Sequence, residues 1–383
     1  MPATTLVLGV DTHLHFTSSH TDKPFFFGEP GSGTLADYPR SRLQNQVDAE
    51  ALRRSGVRLA LGAVWPPMRL RPYRTSLDES VGALQGLFDF TQRRAGFTVA
   101  LSAAAARRAV AAGQIVIVPQ VEGGEGITRP DDVDTLYRAG MRCLTLMHFA
   151  DSALGGASWG QSFDVVFGGP HARGRNPHGL SPMGQAVVER MMDLGVVIDL
   201  AHASDALAND VLDLAERRGV PVIASHSGAR ALKDVERNVS DEVAQRVAQN
   251  GGVVGVSLFE MQVGDTPQRE RWPGFQPGTC DDVVAHWLHL ARAVGPEHVV
   301  LGSDWNGMIV SGHPGGLCPN GLRNTFDLPQ LFAALELKGV PRSALDGMGQ
   351  RLLGILDGVE AKADKAAQKR ALRRPTYVVP SFE

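Results

Sequence analysis

Short apolar runs rich in β-branched residues recur along the chain, and most of the segments between them place apolar residues every three or four positions. The runs are Leu6 to His15, Val57 to Trp65, Ile115 to Glu122, Cys143 to Phe149, Val196 to His202, Pro221 to Ser227, Gly252 to Phe259 and His298 to Trp305. A run apolar on both faces predicts a strand buried on both sides, and helices between such strands predict a parallel sheet with helices packed outside it. Helices are expected over Ser181 to Leu194, Ser204 to Arg218, Ser240 to Asn250 and Asp281 to Val294, three of them opened by a serine suited to the N-cap. Eight strands with intervening helices make a (β/α)8 TIM-type barrel, expected as a single domain over residues 1–360. The lysine- and arginine-rich stretch from Ala361 to Arg374 is expected to form a solvated helix, which with a tail completes residues 361–383. Residues 16–45 and 150–179 interrupt the alternation. They are long enough to be loops over an active site, or surface insertions without a role.

The barrel reading locates the chemistry. Catalytic groups of this fold stand at the C-terminal ends of the strands, where the loops form a mouth, while the strand bodies are packed core. Here the first run ends in Asp11-Thr12-His13-Leu14-His15, the third in Glu122, the fourth in His148, the fifth in His202, the sixth in His226 and the eighth in Asp304. Five of the twelve histidines therefore fall at expected strand ends. Strand alternation puts His13 and His15 on one face, about 6.6 to 6.8 Å apart along the backbone, so both imidazoles can converge on one ion. With Glu122, His202 and His226 they supply four imidazoles and one carboxylate. That is more than one tetrahedral zinc with an open position needs, and it points to two divalent metal ions, expected to be zinc, sharing Glu122. Such a pair would lower the pKa of a bound water toward ~7 and make a nucleophile at neutral pH. Asp304 is placed to move the proton, and His148 to donate a hydrogen bond to a developing oxyanion. Read blandly, Asp304 is a loop aspartate and His148 a buried support for the loop after it.

Charge and composition remove several alternatives. A formal net charge of −3 gives no global basic field, so nucleic acid is not an expected partner. No stretch approaches the roughly 20 apolar residues of a spanning helix, and Met1 to Val10 lacks the cationic start of a signal peptide. The expected location is the cytoplasm, without membrane association. Three cysteines without close spacing suggest neither a disulfide framework nor a thiolate zinc site, and free thiols are expected.

The motifs Val121-Glu122-Gly123-Gly124, Leu144-Thr145-Leu146-Met147-His148, Gly179-Leu180-Ser181-Pro182-Met183-Gly184, Ile198-Asp199-Leu200-Ala201-His202, Ser225-His226-Ser227, Arg237-Asn238-Val239 and Gly302-Ser303-Asp304 occur in that order. In these the chain resembles the renal (membrane) dipeptidase family of zinc metallopeptidases, a branch of the amidohydrolase superfamily, over nearly all of residues 5 to 360. The resemblance implies Glu122 as bridging carboxylate, His13 on the first metal, and His202 and His226 on the second. It also implies His148 near the scissile carbonyl, Arg237 on the terminal carboxylate of a dipeptide, Asp304 in proton transfer, and a homodimer. An arginine suits that carboxylate because its planar fork pairs in bidentate fashion. The chain departs from the family pattern where His-x-Asp becomes His13-Leu14-His15, and where Asp-Phe-Asp-Gly becomes Asp304-Trp305-Asn306-Gly307. The first change removes a negative charge from one metal site while keeping a competent ligand. The segment after the first strand has no obvious family counterpart. The expected activity is metal-dependent dipeptide hydrolysis. Its rivals are hydrolysis of a non-peptide amide, N-acyl amino acid or lactone at the same metals, and a non-catalytic binding protein on the same barrel.

Overall fold

The computed structural model describes residues 9–15, 47, 49–65, 69–70, 73–74, 76–158, 174–264, 278–306, 313 and 315–373, with His13, Arg69, Leu70, Tyr73, Arg74 and Met261 described through their backbone alone. The expected loop 16–45 lies outside this set, as does the middle of 150–179.

Eight parallel strands close on themselves: β1 (Gly9–Leu14), β2 (Val57–Val64), β3 (Ile115–Glu122), β4 (Cys143–Thr145), β5 (Val197–Asp199), β6 (Val222–Ser227), β7 (Val254–Val256) and β8 (Val299–Leu301). Each follows its neighbour in the chain. Closure comes from β2 pairing with β3, Leu59 to Val64 against Val116 to Val121, and from β1 pairing with β8 at Asp11 and Leu301. All eight apolar runs become barrel strands because each is covered on both faces, and β3 is buried at every position. A short ninth strand, Phe97–Val99, pairs with the first half of β3, from Ile115 to Ile117, where β4 has not yet begun. Its three residues give no alternation to read in the sequence.

Helices separate most of the strands and begin where the capping residues stand. Ser181, Ser204, Ser240 and Thr279 each accept from the backbone N–H three residues on, starting Pro182–Leu194, Asp205–Arg218, Asp241–Gln249 and Cys280–Val294. The basic helix Lys365–Arg373 keeps its charged face in solvent but buries Ala367 and Ala371 against the barrel's outer layer. Gln368 donates to Leu194 O at 2.8 Å and Ala371 O accepts from Arg138 at 3.1 Å, so the helix is docked rather than fully solvated.

One expectation is corrected. Cys280 and Cys318 form a disulfide, and Cys143 alone is a free thiol, buried on β4. The two partners stand 38 residues apart, and only the fold brings the start of a helix against the loop that carries Cys318. Among the described residues no helix is long and apolar enough to cross a membrane.

Two features set the mouth. Gly255 on β7 and Gly302 just past β8 lie so close to Ser225 that an added Cβ would stand 1.8 and 1.9 Å from its carbonyl oxygen. A side chain at either position would press on the strand that carries His226. The two roots of the 150–179 segment are clasped together. Asp151 Oδ1 accepts from Ala157 N at 2.9 Å and Asn176 Nδ2 at 2.7 Å, while Oδ2 stands 2.7 Å from His178 Nδ1. Buried Glu236 then accepts from Asn176 N at 2.9 Å and from Asp205 N at 3.3 Å, joining that root to the residue before Arg237.

Candidate metal centre and substrate site

Glu122 ends β3 pointing into the mouth, and the other strand ends deliver imidazoles to it. Its Oε1 lies 3.2 Å from His202 Nε2, 3.4 Å from His226 Nε2 and 3.6 Å from His148 Nε2. Its Oε2 faces His15 Nε2 at 3.5 Å, and the same nitrogen is 3.3 Å from Asp304 Oδ1. One carboxylate thus has a separate histidine set on each oxygen, and all of these side chains except that of Asp304 are at least nine-tenths buried. Glu122, His148 and His202 place ligand atoms within 4.8 Å of one another. His148, expected to face substrate, is therefore also within reach of a cation. The side chain of His13 lies outside the described residues. Strict alternation fails beside it, because Asp11 pairs with Ala60 and Leu14 with Gly62, so β1 bulges by one residue between them.

The tautomers follow from the outer partners. Asp199, fully buried, accepts on Oδ2 from Gln120 at 2.9 Å, Thr145 at 2.7 Å and Ser225 Oγ at 2.6 Å, and on Oδ1 from Ala201 N and Ser225 N. A carboxylate with so many donors is an ion, which only accepts. Ser225 must spend its hydrogen on Asp199 and can only accept from His226 Nδ1 at 2.8 Å. His202 Nδ1 donates to the carbonyl of His148 at 3.1 Å. Both imidazoles are left with Nε2 lone pairs that face one another across 3.1 Å beside the Glu122 carboxylate. Burial first, and then the charge of Arg237, hold His202 well below the ordinary imidazole value, so it is neutral near pH 7. Three electron-rich groups aimed at one space repel each other unless a cation stands among them. The donor set fits a divalent metal ion.

His202 and Asp304 both hold left-handed backbone, with φ of 65° and 58°. Residues other than glycine adopt it at a cost of roughly 1 to 3 kcal/mol and keep it where the surroundings over-determine them, which occurs at functional sites.

Arg237 is the residue the strand-end argument did not reach, since it lies ten residues beyond the end of β6. It is buried, and its Nη1 donates to His226 O at 2.9 Å. Burial lowers its pKa to about 10, against the pull of Asp304, Glu122 and Asp199, so it remains a cation facing the same mouth. A small pocket lies beside it, lined by His202, Ser227, Glu236 and Arg237 among others. Sequence reasoning also missed Glu125, whose carboxylate accepts from His148 N at 2.7 Å and is raised to about 7, chiefly by burial. Asp199 and Ser225 were visible within motifs, but their service to His226 depends on contacts between β5 and β6.

The sequence matches the membrane dipeptidase family (peptidase family M19) over residues 8–370. It is 32% identical over 260 residues to an uncharacterized dipeptidase, C965.12, of Schizosaccharomyces pombe, covering 67% of this chain and 56% of that protein. It is 34% identical over 196 residues to dipeptidase tcpJ of Claviceps purpurea, covering 51% of this chain and 41% of that protein. The matches span about half the length of these two relatives. Among solved structures the fold is similar to that of the metallopeptidase dipeptidase AC, with a TM-score of 0.69 at 21% identity, covering 92% of this chain and 99% of the other. The same figures hold for a metallopeptidase from Rhodobacter sphaeroides bound to a phosphinate mimic of L-Ala-D-Ala. At that identity the likeness speaks for the fold.

Proposed function

The chain belongs to the membrane dipeptidase family, peptidase family M19, and from that premise we propose that it hydrolyses the amide bond of dipeptides with two divalent metal ions, zinc first among them. The observation that carries this reading is the division of Glu122, with His148, His202 and His226 on Oε1 and His15 on Oε2. A carboxylate shared between two sets of ligands is what a pair of cations requires, and imidazole with carboxylate suits zinc. In this reading His13 and His15 would hold one ion and His202 and His226 the other, with Glu122 available to both. Bound there, the ions supply the Lewis acidity that polarises a carbonyl and yields a nucleophile near pH 7.

The chain's own groups orient the substrate and move the proton. Asp304, beside His15 and the least buried member of the set, takes a proton from water and passes it to the leaving amine. His148 stands where a developing oxyanion needs a donor. Arg237 pairs the C-terminal carboxylate of the substrate. Because Arg237 is tied to the carbonyl of His226, whose ring belongs to the cluster, it holds the carboxylate at a fixed place relative to the scissile bond. In this reading, peptides longer than two residues are poor substrates.

The test is metal analysis of purified protein together with turnover of dipeptides, tripeptides and dipeptide C-terminal amides. The R. sphaeroides metallopeptidase binds a mimic of L-Ala-D-Ala, which recommends D-residues at the second position of that panel. Two metals per chain with turnover confined to dipeptides supports the proposal. Turnover only of non-peptide amides, N-acyl amino acids or lactones moves it to the rival that His15 motivates. Protein that stays inactive when zinc is added leaves a binding protein.

A further inference from the structure

Gln262 sits in the short helix Glu260–Val263 after β7 and is buried, at 1% exposure. Its backbone carbonyl accepts from Asn238 Nδ2 at 2.9 Å, which fixes it beside Arg237. One orientation of its amide satisfies both ends. The nitrogen donates to Ser257 Oγ at 2.5 Å, and the oxygen lies 3.0, 3.2 and 3.3 Å from Nη1, Nε and Nη2 of Arg237. The three nitrogens of a guanidinium surround its central carbon, so an acceptor in the plane approaches two of them and leaves the third far off. Near-equal distances to all three put the amide oxygen over the face of the fork.

This leaves the plane of the fork for other partners. His226 O takes an in-plane donor of Nη1. Nε and Nη2 lie along the opposite edge with the spacing of two carboxylate oxygens. The partner on the face is also neutral, so it adds no negative charge of its own to the fork.

We propose that Gln262 is a positioning and specificity residue: its amide lies on the face of the Arg237 guanidinium, stops the fork from turning, and presents the Nε and Nη2 edge to the C-terminal carboxylate of the substrate. The inference rests on the dipeptidase reading, in which Arg237 takes that carboxylate. Losing the amide costs carboxylate recognition rather than chemistry.

The experiment compares the metal-loaded wild type with Gln262→Leu and Gln262→Glu. It measures KM and kcat for alanyl-alanine, and calorimetric binding of a non-hydrolysable alanyl-alanine isostere in carboxylate and carboxamide forms. Circular dichroism establishes that each variant is folded. In Gln262→Leu, KM rises about tenfold or more with kcat within about threefold, and the preference for carboxylate over carboxamide shrinks by the same factor. Gln262→Glu, nearly the same shape, lays a negative charge on the fork and weakens carboxylate binding further, so it tests the proposal even where the leucine variant does not fold. A carboxylate preference unchanged in a folded variant overturns the proposal alone. A wild type that shows no such preference overturns the dipeptidase reading and the proposal together.

Discussion

The hydroxyl of Ser225 joins Asp199 to His226: its Oγ stands 2.6 Å from the carboxylate and 2.8 Å from the ring nitrogen Nδ1. The charge of a fully buried aspartate is relayed through one side chain to a histidine that faces Glu122, fixing which of its nitrogens is bare. Ser225→Ala cuts that relay while leaving the strand pairing of β6 in place. Metal affinity should fall about 10- to 100-fold, measured by competition with a chromogenic chelator. Unchanged affinity would mean that the tautomer of His226 is held by something else.

Asp304→Asn is expected to lower kcat about 10²- to 10⁴-fold, with metal content unchanged by elemental analysis. Asparagine also accepts the left-handed backbone that position 304 adopts, so the loss would report on proton transfer and not on misfolding. A variant that turns over normally removes Asp304 from the mechanism.

His15→Ala should bring the metal content of purified protein from two ions per chain toward one, because His15 is the imidazole on the Oε2 side of Glu122. Retention of both ions would take His15 off the metal, and with it the proposed equivalence to the family's aspartate.

His286 provides a pH effect remote from the mouth. Its Nδ1 accepts from Ala229 N at 2.8 Å, and burial, helped by the charge of Lys233, holds its pKa at about 4 against 6.5 unperturbed. The unfolded chain therefore takes up the proton first. The stability tied to neutral His286 is whole above pH 6.5 and is lost as pH falls toward 4, by an amount on the order of 3 kcal/mol. In His286→Asn, whose amide oxygen can accept the same bond, urea midpoints at pH 7 and pH 4.5 should lie closer together than in the wild type. Equal spacing in both proteins would contradict the assignment.

The barrel was legible because parallel strands covered on both sides must be apolar throughout, and runs such as Ile115 to Val118 have no other reading next to helical periodicity. The gathering of His15, Glu122, His148, His202, His226 and Asp304 was legible as a candidate for the same reason: a histidine or carboxylate closing such a run stands at the mouth. What escaped the sequence depends on contacts between segments far apart in the chain. Cys280 meets Cys318, Gln262 lies on Arg237, and Ser225 serves Asp199, yet no spacing along the chain encodes any of these. Arg237 itself was reached only through the family resemblance, since a lone arginine in a loop looks like a surface charge.

The clasp of Asp151 with Asn176 and His178 gives the two roots of this segment one anchorage, and Glu236, the neighbour of Arg237, holds it through the backbone of Asn176. Ser158, beside one root, donates its backbone N–H to the carbonyl of His202 at 2.8 Å. A shift of the anchorage is therefore passed on twice, to the arginine through Glu236 and to the histidine cluster through Ser158.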